Sequence, residues 1–93
     1  MQLEQYYAGD QEFQEYSEKF IEFWETFEGK ERLLELVGHD LIIARPLAYH
    51  LEESYEKWLH STVPVLDNGT PLDCLQTPDG IKRLKTYLHR LPY

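Results

Sequence analysis

The stretch TPLDCLQTPDGIKRLKTYLHRL, Thr70 to Leu91, uses one device twice, at Thr70-Pro71 and at Thr77-Pro78. A threonine hydroxyl accepts an N–H that the first turn of a helix leaves unpaired. Proline at the first helical position gives up an N–H that would be orphaned there in any case. Each Thr-Pro therefore opens a helix. The first must stop by Leu75 or Gln76, because Thr77 starts again so soon. The second runs from Pro78 to about Arg90 and gathers Ile81, Leu84 and Leu88, with Tyr87 beside them, on one side. The chain thus ends in two short Thr-Pro-initiated helices.

Upstream, Thr62-Val63-Pro64-Val65-Leu66-Asp67-Asn68-Gly69 reads as an ordered loop with an Asp-Asn-Gly turn. Before it, Leu47, Leu51, Tyr55, Trp58 and Leu59 recur at steps of three and four, which predicts a helix over 46–60. Pro46 implies a break or kink near Arg45. Asp40 can cap the turn through Leu41, Ile42 and Ile43, and residues 30–37 read as a short helix with Gly38 in the left-handed position past its end. Nearest the N-terminus, Asp10 reads as an N-cap, and Phe13, Tyr16, Phe20, Phe23, Trp24 and Phe27 mark a long amphipathic helix ending at Gly29. No segment alternates in polarity as a strand would. The expected fold is all-α, a single small domain over 1–93 of about four to six helices.

Composition bounds what such a domain does. The 93 residues are 42% hydrophobic and carry a net charge of −8, which argues against nucleic acid as a direct partner, since phosphate binding needs clustered Lys and Arg. The charge is divided unevenly. Residues 1–56 form an acidic helical region, with 14 Asp and Glu against Lys19, Lys30, Arg32 and Arg45. Residues 57–93 hold Asp67, Asp73 and Asp79 against Lys57, Lys82, Arg83, Lys85 and Arg90. No basic leader with an apolar run opens the sequence, and the longest apolar stretch, Leu41 to Ala44, is far below the roughly 20 residues of a membrane span. A cytoplasmic protein is the expectation.

Nothing in the pattern carries chemistry. His39, His50, His60 and His89 make no paired ligand motif, and Cys74, alone of its type, sits between Leu72 and Leu75 as a small apolar residue. Gly69 and Gly80 belong to no phosphate-cradling loop. We expect no enzyme, no metal and no cofactor. Seven tyrosines, four phenylalanines and two tryptophans favour a protein interface instead, and the aromatic width of the first helix predicts a homodimer. Its exposed faces bear Glu12, Glu15, Glu18, Glu22, Glu25 and Glu28. This permits a second reading, an acidic helical adaptor or nucleic-acid mimic that engages a basic partner.

The run from Trp58 to Leu91 resembles the toxin-binding domain of the Xre/MbcA/ParS family of bacterial antitoxins. There a helix ends in Trp-Leu, a loop carries a proline, a leucine and glycines, a Thr-Pro opens a short helix and a Thr-x-x-Gly opens the last. Here those places hold Trp58, Leu59, Pro64, Leu66, Gly69, Thr70, Pro71, Leu72, Leu75, Thr77, Gly80, Leu84 and Leu88. Asp67-Asn68 stands where the family has Gly-Gly, and Thr62 where its loop has a first proline. The resemblance implies an antitoxin subunit that binds a RES-type toxin, an NAD-consuming enzyme, and blocks its active site with the C-terminal region. Lys82, Arg83, Lys85, Tyr87, His89, Arg90 and Tyr93 are then the residues expected to face the partner.

Overall fold

A computed structural model describes residues 3–92. In chain order they form a 3-10 turn at Leu3–Tyr6, α1 (Asp10–Glu18), α2 (Ile21–Glu25), α3 (Lys30–Leu36) and α4 (Leu41–Leu51). A 3-10 turn at Glu52–Ser54, α5 (Tyr55–Leu59), a 3-10 turn at Pro64–Leu66, α6 (Pro71–Cys74) and α7 (Pro78–His89) follow. The architecture is all-α. Among the described residues the single extended pairing is an isolated antiparallel bridge between Val63 and Gly69.

α4 is the axis on which α1, α2, α3, α5 and α7 pack. Its inward face is Ile43, Ala44, Leu47 and Ala48, all buried, and the two alanines let neighbouring helices come close. Asp40 caps it as expected, accepting from the backbone N–H groups of Ile42 and Ile43 at 3.1 and 3.2 Å. The predicted break at Arg45 does not occur, for α4 runs unbroken through Pro46. Proline has no N–H for the carbonyl four residues back, Ile42, and continuing the helix would ordinarily strand that oxygen. Here the hydroxyl of Ser17, a residue with no exposed surface, donates to it at 2.7 Å. α1 thus supplies the hydrogen bond that α4 lacks.

The break comes instead at Glu52, which takes φ 49° and ψ −123°, so the helix expected over 46–60 is cut into the end of α4 and α5. Fifteen residues of straight helix would extend about 22 Å. The turn folds α5 back, leaving Leu59 with no exposed surface.

The first helix is also divided. Its N-cap is Gly9, at φ 108°, rather than Asp10, which opens the first turn without a capping bond. At Lys19 and Phe20 the backbone bonds tighten to the residues three back, Tyr16 and Ser17, and α2 starts afresh. A straight helix over 10–28 would measure about 28 Å. Bending lets Phe13, Tyr16, Phe20 and Trp24 all reach one core, at 1%, 2%, 3% and 5% exposure, so one chain buries most of the aromatic stripe that predicts a homodimer.

The C-terminal third matches its reading closely. Thr70 makes a full capping box with Asp73, and the Thr77 hydroxyl accepts from the Gly80 N–H at 2.9 Å. Gly80 is required for a different reason: a Cβ there would lie 2.3 Å from the Cys74 carbonyl oxygen and 2.8 Å from its Cα. The end of α6 rests directly on the first turn of α7. At 12 residues α7 is not short, unlike α6. Asp67 and Asn68 both take left-handed conformations, φ 60° and 59°, with the Gly69 N–H returning to the Leu66 carbonyl at 3.2 Å. That is the turn a Gly-Gly would make, formed by the two non-glycine residues that best tolerate it.

Candidate functional site

α7 is fixed from three sides. Leu84 and Leu88 enter the core with no exposed surface, Gly80 meets Cys74, and the Leu3–Tyr6 turn lies along it in the most extensive pairing of any two elements. Leu3 is 2% exposed, so this N-terminal turn is part of the core.

That packing sorts the residues expected to face a partner. Arg83 is tied inside the chain: its Nε and one terminal nitrogen reach the two oxygens of Glu4 at 3.0 and 3.1 Å, and Asp67 lies 3.4 Å away. The paired guanidinium holds the Glu4 carboxyl below the usual carboxylate range, and Glu4 in turn raises the pKa of Arg83. Lys85 is also largely covered. Its Nζ stands 5.3 Å from the Phe13 ring centre, 5.7 Å from that of Tyr7 and 3.9 Å from Asp10. The Tyr7 hydroxyl donates to Asp10, and burial together with that carboxylate pushes its pKa well up. His89 lies against Tyr16 and Phe13, with ring centres 4.6 and 6.2 Å apart.

Lys82 and Arg90 remain exposed, Arg90 with its guanidinium 5.2 Å from the Tyr6 ring. Tyr87 stacks on Trp58 at 5.8 Å and 18° between planes. Tyr93 lies outside the described residues.

The stacked pair belongs to a groove that the sequence reading did not assemble. A hollow of about 300 Å³ is lined by Trp58, Tyr87, Leu51, Leu91 and Pro92, with His50 and Leu88 at its floor. A second hollow of about 210 Å³ shares Leu51 and Trp58 and adds Ser54, Lys57 and Ser61. Apolar walls beside Lys57, which lines the second hollow, suit a protein segment with apolar and acidic side chains. The missed signal is Trp58: an aromatic at the end of α5 completes a surface as well as a motif.

The groove floor is held by Tyr16. Its hydroxyl donates to the Leu88 carbonyl at 2.7 Å and lies 2.9 Å from His50 Nε2. Its one proton goes to Leu88, so His50 donates through Nε2. Burial lowers the His50 pKa and so favours the neutral ring. Burial likewise raises the pKa of the Cys74 thiol, which is 3% exposed. Among the described residues no three His, Cys, Asp or Glu side chains gather as a metal site would require, and no helix is long and apolar enough to cross a membrane.

Residues 25–93 match the model of the antitoxin Xre/MbcA/ParS C-terminal toxin-binding domain. No curated protein and no solved structure matches the chain. The matched region contains α3 to α7 and the whole groove, while α1 and the N-terminal turn lie before it. With 69 of its 93 residues inside the match, this chain belongs to the Xre/MbcA/ParS antitoxin family and carries that family's C-terminal toxin-binding domain.

Proposed function

We propose that the chain is a non-catalytic, cytoplasmic antitoxin subunit that binds a RES-type, NAD-consuming toxin and obstructs its active site with the end of α7. The observation that carries this reading is the Trp58–Tyr87 groove inside the toxin-binding region, with Lys82 exposed on the same helix as Tyr87 and Arg90 exposed just past its end. Stacked aromatics are where binding energy concentrates at protein interfaces, and exposed cations steer and select the partner. Arg83, Lys85 and His89 are left out of the contact surface in this reading, since their partners lie within the chain. A homodimer accompanies this reading: Ile21, Leu41 and Tyr49 leave apolar surface outside the groove, each at least a third exposed.

Co-expression with a RES-type enzyme tests the proposal. The intact chain should co-purify with the enzyme, restore growth and preserve cellular NAD. Lys82→Glu combined with Arg90→Glu should weaken the complex at least about 30-fold, as losing about 2 kcal/mol at an interface hot spot does, without unfolding the chain. A chain that neither co-purifies nor rescues growth refutes the toxin assignment. Rescue that depends on Glu15, Glu18, Glu22 and Glu25 and collapses in high salt points instead to the acidic adaptor.

A further inference from the structure

A second concavity, of about 490 Å³, lies where α2, the turn into α3 and the Glu52–Ser54 turn meet. Its walls include Phe23, Phe27 and Tyr55, and its edge carries Glu28, Glu52 and Glu53. The Phe23 and Phe27 rings stack at 5.9 Å, and Tyr55 meets Phe27 edge-on at 5.8 Å and 72°. Tyr55 is seated against Gly29, where a Cβ would come within 3.0 Å of the ring. All three rings remain partly open to solvent and turn aromatic surface toward the hollow.

The charges at the edge are uncompensated. Among the described residues none of Glu28, Glu52 and Glu53 makes an ion pair, although cations lie nearby in the chain. Arg32 is spent on Glu35 and Glu56, and the Lys30 ammonium reaches the Glu25 carbonyl at 3.4 Å. Ring faces are negative at their centres, so aromatic walls under a carboxylate edge attract a cation from below and above at once. Guanidinium suits this better than ammonium: it lies flat on a ring and still offers its edge to two carboxylates. The volume exceeds one guanidinium and admits the side chain with its flanking backbone.

We propose that this hollow docks a basic segment of a protein partner by taking one of its arginine side chains between the rings and the three glutamates. The charge balance of residues 1–56, fourteen acidic against four basic, favours such a segment over a neutral or acidic one. The site stands apart from the Trp58–Tyr87 groove and does not depend on which toxin that groove receives.

The test uses the full chain, ¹⁵N-labelled, titrated with acetyl-Gly-Arg-Gly-amide and with the uncharged citrulline counterpart. The arginine peptide should give saturable shifts at Phe27, Gly29, Glu52, Glu53 and Tyr55, and the citrulline peptide none. Glu52→Gln with Glu53→Gln, both at exposed positions, should weaken binding about tenfold, and Phe27→Leu should weaken it several-fold further. Equal binding of citrulline overturns the proposal, as does an equal loss on replacing Glu12, Glu15 and Glu18 by Gln. So does binding of tetramethylammonium without the peptide. Shifts at the same amides on concentrating the protein alone would give the hollow to a second copy of the chain and overturn it too.

Discussion

Replacing Ser17 by alanine tests how α4 survives its proline. In the native fold the Ser17 hydroxyl donates at 2.7 Å to the Ile42 carbonyl, the oxygen that residue 46 would serve if it had an N–H. Without the hydroxyl, a buried acceptor loses the donor that replaces its helical partner, at a cost of about 1–3 kcal/mol. A domain of this length holds about 5–14 kcal/mol in all. A loss near 2 kcal/mol should therefore lower Tm by roughly 8–16 °C. Urea unfolding of Ser17→Ala, Pro46→Ala and the double variant closes a cycle. In the Pro46→Ala background the helix supplies its own N–H to the Ile42 carbonyl, so removing the hydroxyl should then cost well under about 1 kcal/mol. Equal costs of Ser17→Ala in the two backgrounds would show that the hydroxyl and the proline are unconnected, and the account of α4 would fail.

Other perturbations follow from the same geometry. Gly80→Ala drives a methyl toward the Cys74 carbonyl, 2.3 Å away, and should cost about 3 kcal/mol or more by denaturant melt, against about 1 kcal/mol for Thr77→Ala, which removes only the cap. Asn68→Val forces a β-branched residue to φ 59° and should cost about 1–2 kcal/mol, whereas Asn68→Gly should cost nothing measurable. Acid should destabilise the fold in two steps. The unfolded chain takes up a proton at His50 below its ordinary value near 6.5 while the buried ring resists, and the same holds for Glu4 below about 4.5 beside Arg83. Stability is thus full above both values and falls as pH drops through them. His50→Gln should flatten Tm against pH from 6.5 downward and leave the loss below 4.5 intact.

How far the sequence disclosed this molecule depends on where each element finds its partners. The Thr-Pro starts, the Asp40 cap and the left-handed Gly38 were legible because the atoms that decide them lie within three or four residues. Pro46 misleads for the opposite reason. The donor that rescues Ile42 comes from Ser17, 25 residues earlier, and no local rule announces it. The division of the first helix at Lys19 has the same origin, since what bends it is the core that four aromatic rings must share.

The candidate site divides along that line too. Lys82, Arg83, Lys85 and Arg90 look alike in sequence, four cations at the end of the chain. Only the fold brings Glu4 across from 79 residues away to Arg83 and sets Lys85 over Phe13, leaving Lys82 and Arg90 exposed. This separation makes the two sets distinguishable in one experiment. Arg83→Met removes a cation whose partners are internal, so it should lower Tm and leave the affinity of the surviving folded protein for its toxin within about twofold. Arg90→Glu removes an exposed one and should do the reverse. Buried pairs broken on one side cost stability, while exposed charges at an interface edge act on association. If Arg83→Met weakens the complex as strongly as Arg90→Glu in fully folded protein, the Leu3–Tyr6 turn does not cover α7 in the bound state. The toxin-facing surface would then include Arg83 itself.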